Sequence, residues 1–252
     1  MLTPERQKLI ENYVNQHELC RVSDLCTIAA TSESTIRRDL IQMEKKGQLK
    51  RIHGGAQSVK NFTHDVSQHI RFTMNHDEKI RIARYAVQQY VHEDDYIFID
   101  AGTTAYEMVP FLATMQGVTV VTNGLETALG ALNHGINTML LGGQIKEDTH
   151  AVVGQFALEQ LQGMNFAASF VGANGIDYQG DLTTPDPEEA AIKKLEIARS
   201  NHTYVLTDAS KLGERNFAVF GNVSQVTVIT TALAARQKDL LPAEADLKEV
   251  ID

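Results

Sequence analysis

Five short clusters of small polar residues hold the groups from which a site for a phosphorylated polyol can be built: Asp100-Ala101-Gly102-Thr103-Thr104, Thr122-Asn123-Gly124, Gly142-Gly143, Gly172-Ala173-Asn174-Gly175 and Asp208-Ala209-Ser210-Lys211. Gly102 permits close backbone approach. Thr103-Thr104 read as the opening of a helix whose free N–H groups and positive dipole end suit a phosphate. Lys211 supplies a compensating charge, while Asp100, Asn123 and Asn174 suit hydroxyl recognition. Glycine and asparagine are also ordinary turn formers, so each cluster taken singly fits a structural role; the five together point to a ligand.

Each cluster follows a short β-rich run: Tyr96-Ile97-Phe98-Ile99, Val118-Thr119-Val120-Val121, Thr138-Met139-Leu140-Leu141, Ala168-Ser169-Phe170-Val171 and Tyr204-Val205-Leu206-Thr207, with Val226-Thr227-Val228-Ile229 as a sixth run. Helical patterns separate them, one carrying Ile80, Ile82-Ala83 and Ala86-Val87 and another running through Met108 and Leu112. This alternation predicts an α/β domain with a parallel sheet covered on both faces. Ligands collect at the carboxyl ends of such strands, where the polar clusters stand.

The first sixty residues hold a second kind of chemistry. Pro4 can open a helix in which Leu9, Ile10, Tyr13 and Val14 recur at helical spacing, to about Gln16. Ser23 reads as the N-cap of a short second helix with Leu25, Cys26 and Ile28-Ala29 on its apolar side. Thr31 marks a turn, Ser32 caps a third helix with Ile36, Leu40 and Met43 on one face, and Gly47 offers a left-handed stop. Ser34 and Arg38 project almost opposite that stripe, flanked by Thr35 and Arg37. Arginine matches the paired acceptors of guanine in the major groove, and Ser and Thr hydroxyls bond phosphates or base edges. Gln48 to Gly55 then reads as two short extended runs forming a wing, with Lys50 and Arg51 placed for backbone phosphate. A solvated basic surface on a small helical domain has the same composition.

The charge distribution bears on that choice. Net charge is −9, but residues 1–60 hold ten Lys or Arg against seven Asp or Glu, while the remainder holds thirteen against twenty-five. Only the first part can approach a phosphate backbone without strong repulsion. The N-terminus lacks an apolar run behind a basic region, and no stretch of apolar residues is long enough to span a bilayer, so the chain reads as soluble and cytoplasmic. Cys20 and Cys26 read as reduced core thiols. The spacing of His64, His69 and His76 fits no compact metal-ligand set, His150 and His202 stand alone, and neither a nucleotide-triphosphate loop nor a dinucleotide fingerprint is present. No cofactor is expected.

Ser32-Glu33-Ser34-Thr35-Ile36-Arg37-Arg38-Asp39-Leu40, followed by Lys50-Arg51-Ile52-His53-Gly54-Gly55-Ala56, resembles the signature of the DeoR family of bacterial regulators. The resemblance implies a winged helix-turn-helix with DNA contacts at Ser34, Thr35, Arg37, Arg38, Lys50, Arg51 and His53. The second half resembles the family's sensor domain, whose fold is similar to that of sugar-phosphate isomerases: Asp100, Gly102, Thr103 and Thr104 match D-x-G-T-T, Thr122-Asn123 match T-N, Leu141 to Gly143 match L-G-G, and Asp208, Ser210, Lys211 and Gly213 match D-x-S-K-x-G. Many relatives place an acid after the paired glycines; Gln144 stands there, and that position is left out of the site.

Two further stretches, Met1 to Arg6 and Leu182-Thr183-Thr184-Pro185-Asp186-Pro187-Glu188-Glu189-Ala190, resemble the fructose operon repressors of Gram-positive bacteria. That implies fructose 1-phosphate as effector, with tagatose 6-phosphate the nearest alternative. Pro185 and Pro187 stiffen a loop entering a helix with Glu188, Glu189 and Lys193 at its start, where a carboxylate can accept sugar hydroxyls or Glu188 and Glu189 can simply favour the helix start. The effector site thus expected comprises Asp100, Gly102, Thr103, Thr104, Thr122, Asn123, Gly142, Gly143, Gly172, Asn174, Glu188 and Lys211. The expected organisation is a winged helix-turn-helix over 1–57, a polar linker over 58–75 and a parallel-sheet α/β sensor over 76–252. Operator DNA and a second copy of the chain are the expected macromolecular partners.

Overall fold

The computed structural model describes residues 3–17, 19–46, 48–52, 54–58 and 68–251. Gly47, His53 and residues 59–67, which include Asn61, Thr63, His64 and Ser67, lie outside the described residues, as does the side chain of Lys50. Contacts divide the chain into two compact units, Met1–Asn61 and Phe62–Asp252.

The first unit runs α1 (Thr3–His17), β1 (Leu19–Arg21), α2 (Val22–Ala29), α3 (Glu33–Lys45), β2 (Leu49–Ile52) and β3 (Gly55–Ser58). Ile10 and Val14 of α1, Leu25 and Ala29 of α2, and Ile36, Leu40 and Met43 of α3 bury against one another and against Leu49 and Ala56. Ala30 turns left-handed (φ 46°) to end α2, and the Ser32 side chain accepts the Thr35 N–H to start α3. Ser23 does not cap α2 as expected. The helix begins at Val22, and the Asp24 carboxylate accepts the Arg21 N–H at 3.2 Å, because the chain enters the helix directly from a strand. That strand, β1, pairs with β3 in a sheet of order β1-β3-β2. A Cβ on Gly55 would lie 2.0 Å from the Cys20 carbonyl oxygen, so glycine is obligatory where β3 crosses β1. Asp39, only 3% exposed, ties α3 to α1 by accepting from Arg6 Nε at 2.6 Å and Gln7 Nε2 at 3.3 Å.

The second unit has helices α4 (Gln68–Thr73), α5 (His76–Tyr90), α6 (Thr103–Tyr106), α7 (Val109–Leu112), α8 (Leu125–Asn133), α9 (Gln155–Gln162), α10 (Pro187–Ala198) and α11 (Ala235–Lys238). Its strands are β4 (Tyr96–Ile99), β5 (Thr119–Thr122), β6 (Asn137–Leu140), β7 (Gln144–Ile145), β8 (Val152–Val153), β9 (Phe166–Gly172), β10 (Gly175–Ile176), β11 (Asp181–Thr184), β12 (Ser200–Leu206), β13 (Ala218–Asn222), β14 (Thr227–Thr231) and β15 (Asp246–Val250).

Seven strands form one sheet of order β15-β14-β12-β9-β4-β5-β6 in which every pairing is parallel. All six β-rich runs of the sequence lie in it. Ile97, Ile99, Phe170 and Leu206 bury on one face with Ile82 and Ala86 of α5, and Phe98 and Val121 bury on the other with Leu161 of α9 and Ile192 of α10. The order reverses at β4, which has β5 on one side and β9 on the other. Loops leaving adjacent strands there diverge to opposite faces and open a crevice at their carboxyl ends.

Three features depart from the pattern-based expectation. β15 carries Asp246, Lys248 and Glu249 and so lacks an apolar run. Leu182-Thr183-Thr184, to which no element was assigned from the sequence, belongs to β11 in a small antiparallel sheet β10-β11-β13, with all three residues buried. The helix expected through Met108 and Leu112 is two single turns, α6 and α7, because Pro110 has no N–H to continue the ladder.

Candidate functional site

On α3, Ser34, Arg37 and Arg38 are exposed and Thr35 is half-buried, away from the Ile36, Leu40 and Met43 stripe. The two arginines differ. Arg37 donates from Nε to Glu33 Oε1 at 3.0 Å, one turn back, whereas Arg38 has no ion-pair partner among the described residues. Arg51, on the wing, is exposed and stands 3.6 Å from Glu44.

In the second unit a cleft, partly open to solvent, lies over the crevice between β4 and β9 and extends to the end of β12. Asp100, Gly102, Thr103 and Thr104 reach it from β4, Gly172 and Asn174 from β9, and Asp208 and Lys211 from β12. Four more charged residues line it: Arg71, Lys79, Glu189 and Lys193.

The floor is an ion pair. Lys193 Nζ on α10 donates to Asp100 Oδ2 and, at 3.0 Å, to the Gly172 carbonyl, while the Gly172 N–H donates to the same Asp100 oxygen at 2.8 Å. Asp100 Oδ1 accepts from the Ala101 N–H at 2.7 Å. These bonds lock the ends of β4 and β9 together. At one side Lys79 Nζ donates to Thr103 Oγ1 at 2.9 Å and to the Arg71 carbonyl. Burial lowers the Lys79 pKa to about 8, with Lys211 and Arg71 pushing the same way and Asp208 and Glu107 opposing. Lys79 thus stands at the Thr103 hydroxyl, with Arg71 and Lys211 lining the same cleft and acting on its charge. Across the cleft Thr149 Oγ1 donates to Glu189 Oε1 at 2.6 Å.

Beneath the floor sits Glu196, 0% exposed, with neither side-chain carboxyl oxygen hydrogen-bonded among the described residues. Burial, and after it the nearby Asp100 charge, hold its pKa well above the ordinary carboxylate range. Burial disfavours the Lys193 charge too, but Asp100 leads the opposing attractions and its pKa is raised. Folding therefore takes up a proton on Glu196 above the unfolded pKa, and this residue's contribution to stability falls as pH rises from there toward the folded pKa. Glu196→Gln is expected to raise the melting temperature at pH 8 while changing it little at pH 4, about 1.4 kcal/mol accruing for each unit separating the folded and unfolded pKa values. Equal effects at both pH values, followed by calorimetry, would show that Glu196 is ionised in the folded chain.

Residues 6–62 match the DeoR-like helix-turn-helix domain and residues 74–232 match the DeoR C-terminal sensor domain. The chain belongs to the DeoR family. It is 38% identical over 231 residues, 92% of each chain, to the uncharacterized HTH-type transcriptional regulator FruR of Bacillus subtilis. It is 32% identical to the HTH-type transcriptional regulator GlpR of Haloferax volcanii, covering 92% of this chain and 90% of that one, and 31% identical to the lactose phosphotransferase system repressor of Streptococcus mutans, covering 92% of each. Among solved structures, ribose 5-phosphate isomerase A from Methanocaldococcus jannaschii overlaps 54% of each chain at 19% identity and a TM-score of 0.41. Among the described residues, no helix of this DeoR-family regulator is long and apolar enough to cross a membrane.

Of the twelve effector residues expected in this DeoR-family sensor, the cleft gathers seven: Asp100, Gly102, Thr103, Thr104, Gly172, Asn174 and Lys211. The other five stand elsewhere. Thr122 is wholly buried and accepts the Gly124 N–H at 2.9 Å, and Asn123 accepts the Ala101 N–H at 3.1 Å, bracing the Asp100 loop from behind. Gly142 exchanges hydrogen bonds with the Gln160 amide at 3.1 and 3.3 Å, and Gly143 packs on the Val153 carbonyl. Glu188 is exposed, 3.9 Å from Lys146; its neighbour Glu189 is the one that faces the cleft. The phosphate-favouring helix start at Thr103-Thr104 is a single turn, so its dipole is small. Lys79 and Arg71, which bring the missing charge, lie before β4 and follow no strand, so a search confined to strand ends passes over them.

Proposed function

We propose that this DeoR-family repressor of a sugar operon senses a sugar phosphate, fructose 1-phosphate, in the β4–β9 cleft and releases its operator when the cleft fills. Residues 1–57 hold DNA and 76–252 sense the sugar, while the stretch 58–75 expected to join them also lends the sensing cleft Arg71 from α4. The observation that carries this reading is the composition of the cleft. Lys79, Arg71 and Lys211 lie within reach of one another's charge and suit a phosphate, while Asn174, Glu189 and Thr149 offer the acceptors and donors that a polyol requires. Gly102 supports it: a Cβ there would make only ordinary 3.5 Å contacts, so no neighbouring protein atom requires glycine, and the open backbone is left for a ligand.

Linkage makes operator release reciprocal: a ligand that lowers DNA affinity is itself bound less tightly by the DNA complex, by the same factor. Gel-shift titration with fructose 1-phosphate is expected to weaken operator binding at least tenfold. Release by tagatose 6-phosphate alone reassigns the effector, and no release by either defeats the sensor reading. The chain acts as a regulator and not as an enzyme; turnover of ketose phosphates would overturn that. It works as a homo-oligomer in the cytoplasm, since paired half-sites raise the affinity of small winged domains.

Lys79 makes the binding pH-dependent. Only the protonated amine pairs with phosphate, and its pKa near 8 means that charge is present at pH 7 and mostly lost at pH 9. Affinity is expected to fall as pH rises through 8, approaching tenfold per unit, with a proton taken up on binding. Calorimetry at pH 7, 8 and 9 in buffers of different ionisation enthalpy reads both. Constant affinity across that range would remove Lys79 from the phosphate site.

A further inference from the structure

The two edges of the seven-stranded sheet are built differently. At one edge β15 carries Asp246, Lys248 and Glu249, with Lys248 paired to Asp246 at 2.7 Å, the charged surface that keeps an open strand from pairing with another chain. At the other edge, β6 carries no charge at all. From Thr127 to Ile145 there is no Asp, Glu, Lys or Arg, in a chain of which 22% is charged. That run holds Leu129, Leu132, Met139, Leu140 and Ile145, each between 41% and 66% exposed. Phe156, 73% exposed, stands one turn before Gln160, the residue bonded to Gly142 at the end of β6, and so continues the same surface.

An uncharged open strand with apolar residues exposed beside it is a surface that a soluble chain covers. We propose that a second copy of this chain covers it, the two β6 strands pairing antiparallel across a two-fold axis with the α8 helices packed alongside. Three features select that occupant. The row of N–H and C=O groups on an edge strand is complementary to its own two-fold copy, as an isologous interface requires. The stretch from Thr127 to Ile145 brings no like charge to the meeting of two copies of a chain of net charge −9. A charged partner finds no counter-charge there. Joined in this way, the two sheets run as one.

The surface rests on the homo-oligomer reading above, and the test separates the two. Sedimentation of the full chain at tens of micromolar is expected to give a dimer, and Met139→Lys, which sets two like charges near the two-fold, is expected to raise the dimer dissociation constant at least 100-fold. Leu132→Asp is expected to do the same, while Phe217→Lys, at an exposed apolar residue outside this patch, leaves the dimer intact. Unchanged melting temperatures certify that the variants fold. Hydrogen exchange of the wild type supplies a readout that needs no variant: the amides of residues 137–140 are expected to be protected in the dimer and to exchange on dilution. A monomeric wild type overturns both the surface and the homo-oligomer; a dimer that survives Met139→Lys and Leu132→Asp, or whose 137–140 amides exchange freely, overturns this surface alone.

Discussion

Lys193→Ala is expected to destabilise the second unit by about 3–5 kcal/mol, because it leaves the Asp100 carboxylate buried without its cation. For a unit of this size the loss corresponds to a fall of roughly 6–20 °C in melting temperature. Lys193 is 5% exposed and Asp100 2% exposed, so water cannot replace the lost partner. The two remaining N–H donors to Asp100, from Ala101 and Gly172, soften the loss without removing it. Urea denaturation measures the cost. Lys193→Met combined with Asp100→Asn is expected to recover at least half of it, since a neutral pair has no uncompensated charge; a single-variant loss below about 1 kcal/mol would show that the two groups do not form a charged pair. Because both residues line the cleft, stability and effector affinity need separate measurement.

The second large effect belongs to DNA. Arg38→Ala is expected to cost about 1–3 kcal/mol of specific operator affinity while leaving sugar-phosphate binding unchanged, because Arg38 is exposed on α3 with no competing carboxylate among the described residues. Arg37→Ala is expected to cost less, since Arg37 first has to leave Glu33. Anisotropy titrations against operator and scrambled duplexes, each at two salt concentrations, distinguish base reading from phosphate contact: the first lowers discrimination, the second lowers affinity for both duplexes and reduces the salt slope by about one. A larger loss at Arg37 than at Arg38 would reverse the assignment. A loss of operator and effector binding together would indicate unfolding.

The helices of the first unit were legible because their signals are local. Ser32 caps α3 through its own hydroxyl, and Ile36, Leu40 and Met43 mark one face at helical spacing. The strand β1 was not, since three residues carry no periodicity and its existence depends on β3, more than thirty residues away. In the second unit the strand-end clusters identified seven cleft residues for a comparable reason: a parallel strand's carboxyl end is readable from where the apolar run stops. Glu188 was chosen over Glu189 because helix phase relative to the sheet is not written in the helix itself; once α10 packs, Glu188 faces Lys146 and Glu189 faces Thr149.

What the amino-acid order determined alone was therefore the inventory: an α/β sensor after a winged unit, polar loops after apolar strands, and a charge split that reserves the first sixty residues for a polyanion. The tertiary structure decided which of those loops meet. Asp100 finds Lys193 across 93 residues because β9 lies beside β4, and Lys79 reaches Thr103 because α5 packs across the sheet face beneath it. Strand order is set by burying apolar surface over the whole sheet, a sum over many distant contacts, and no local pattern encodes a sum of that kind.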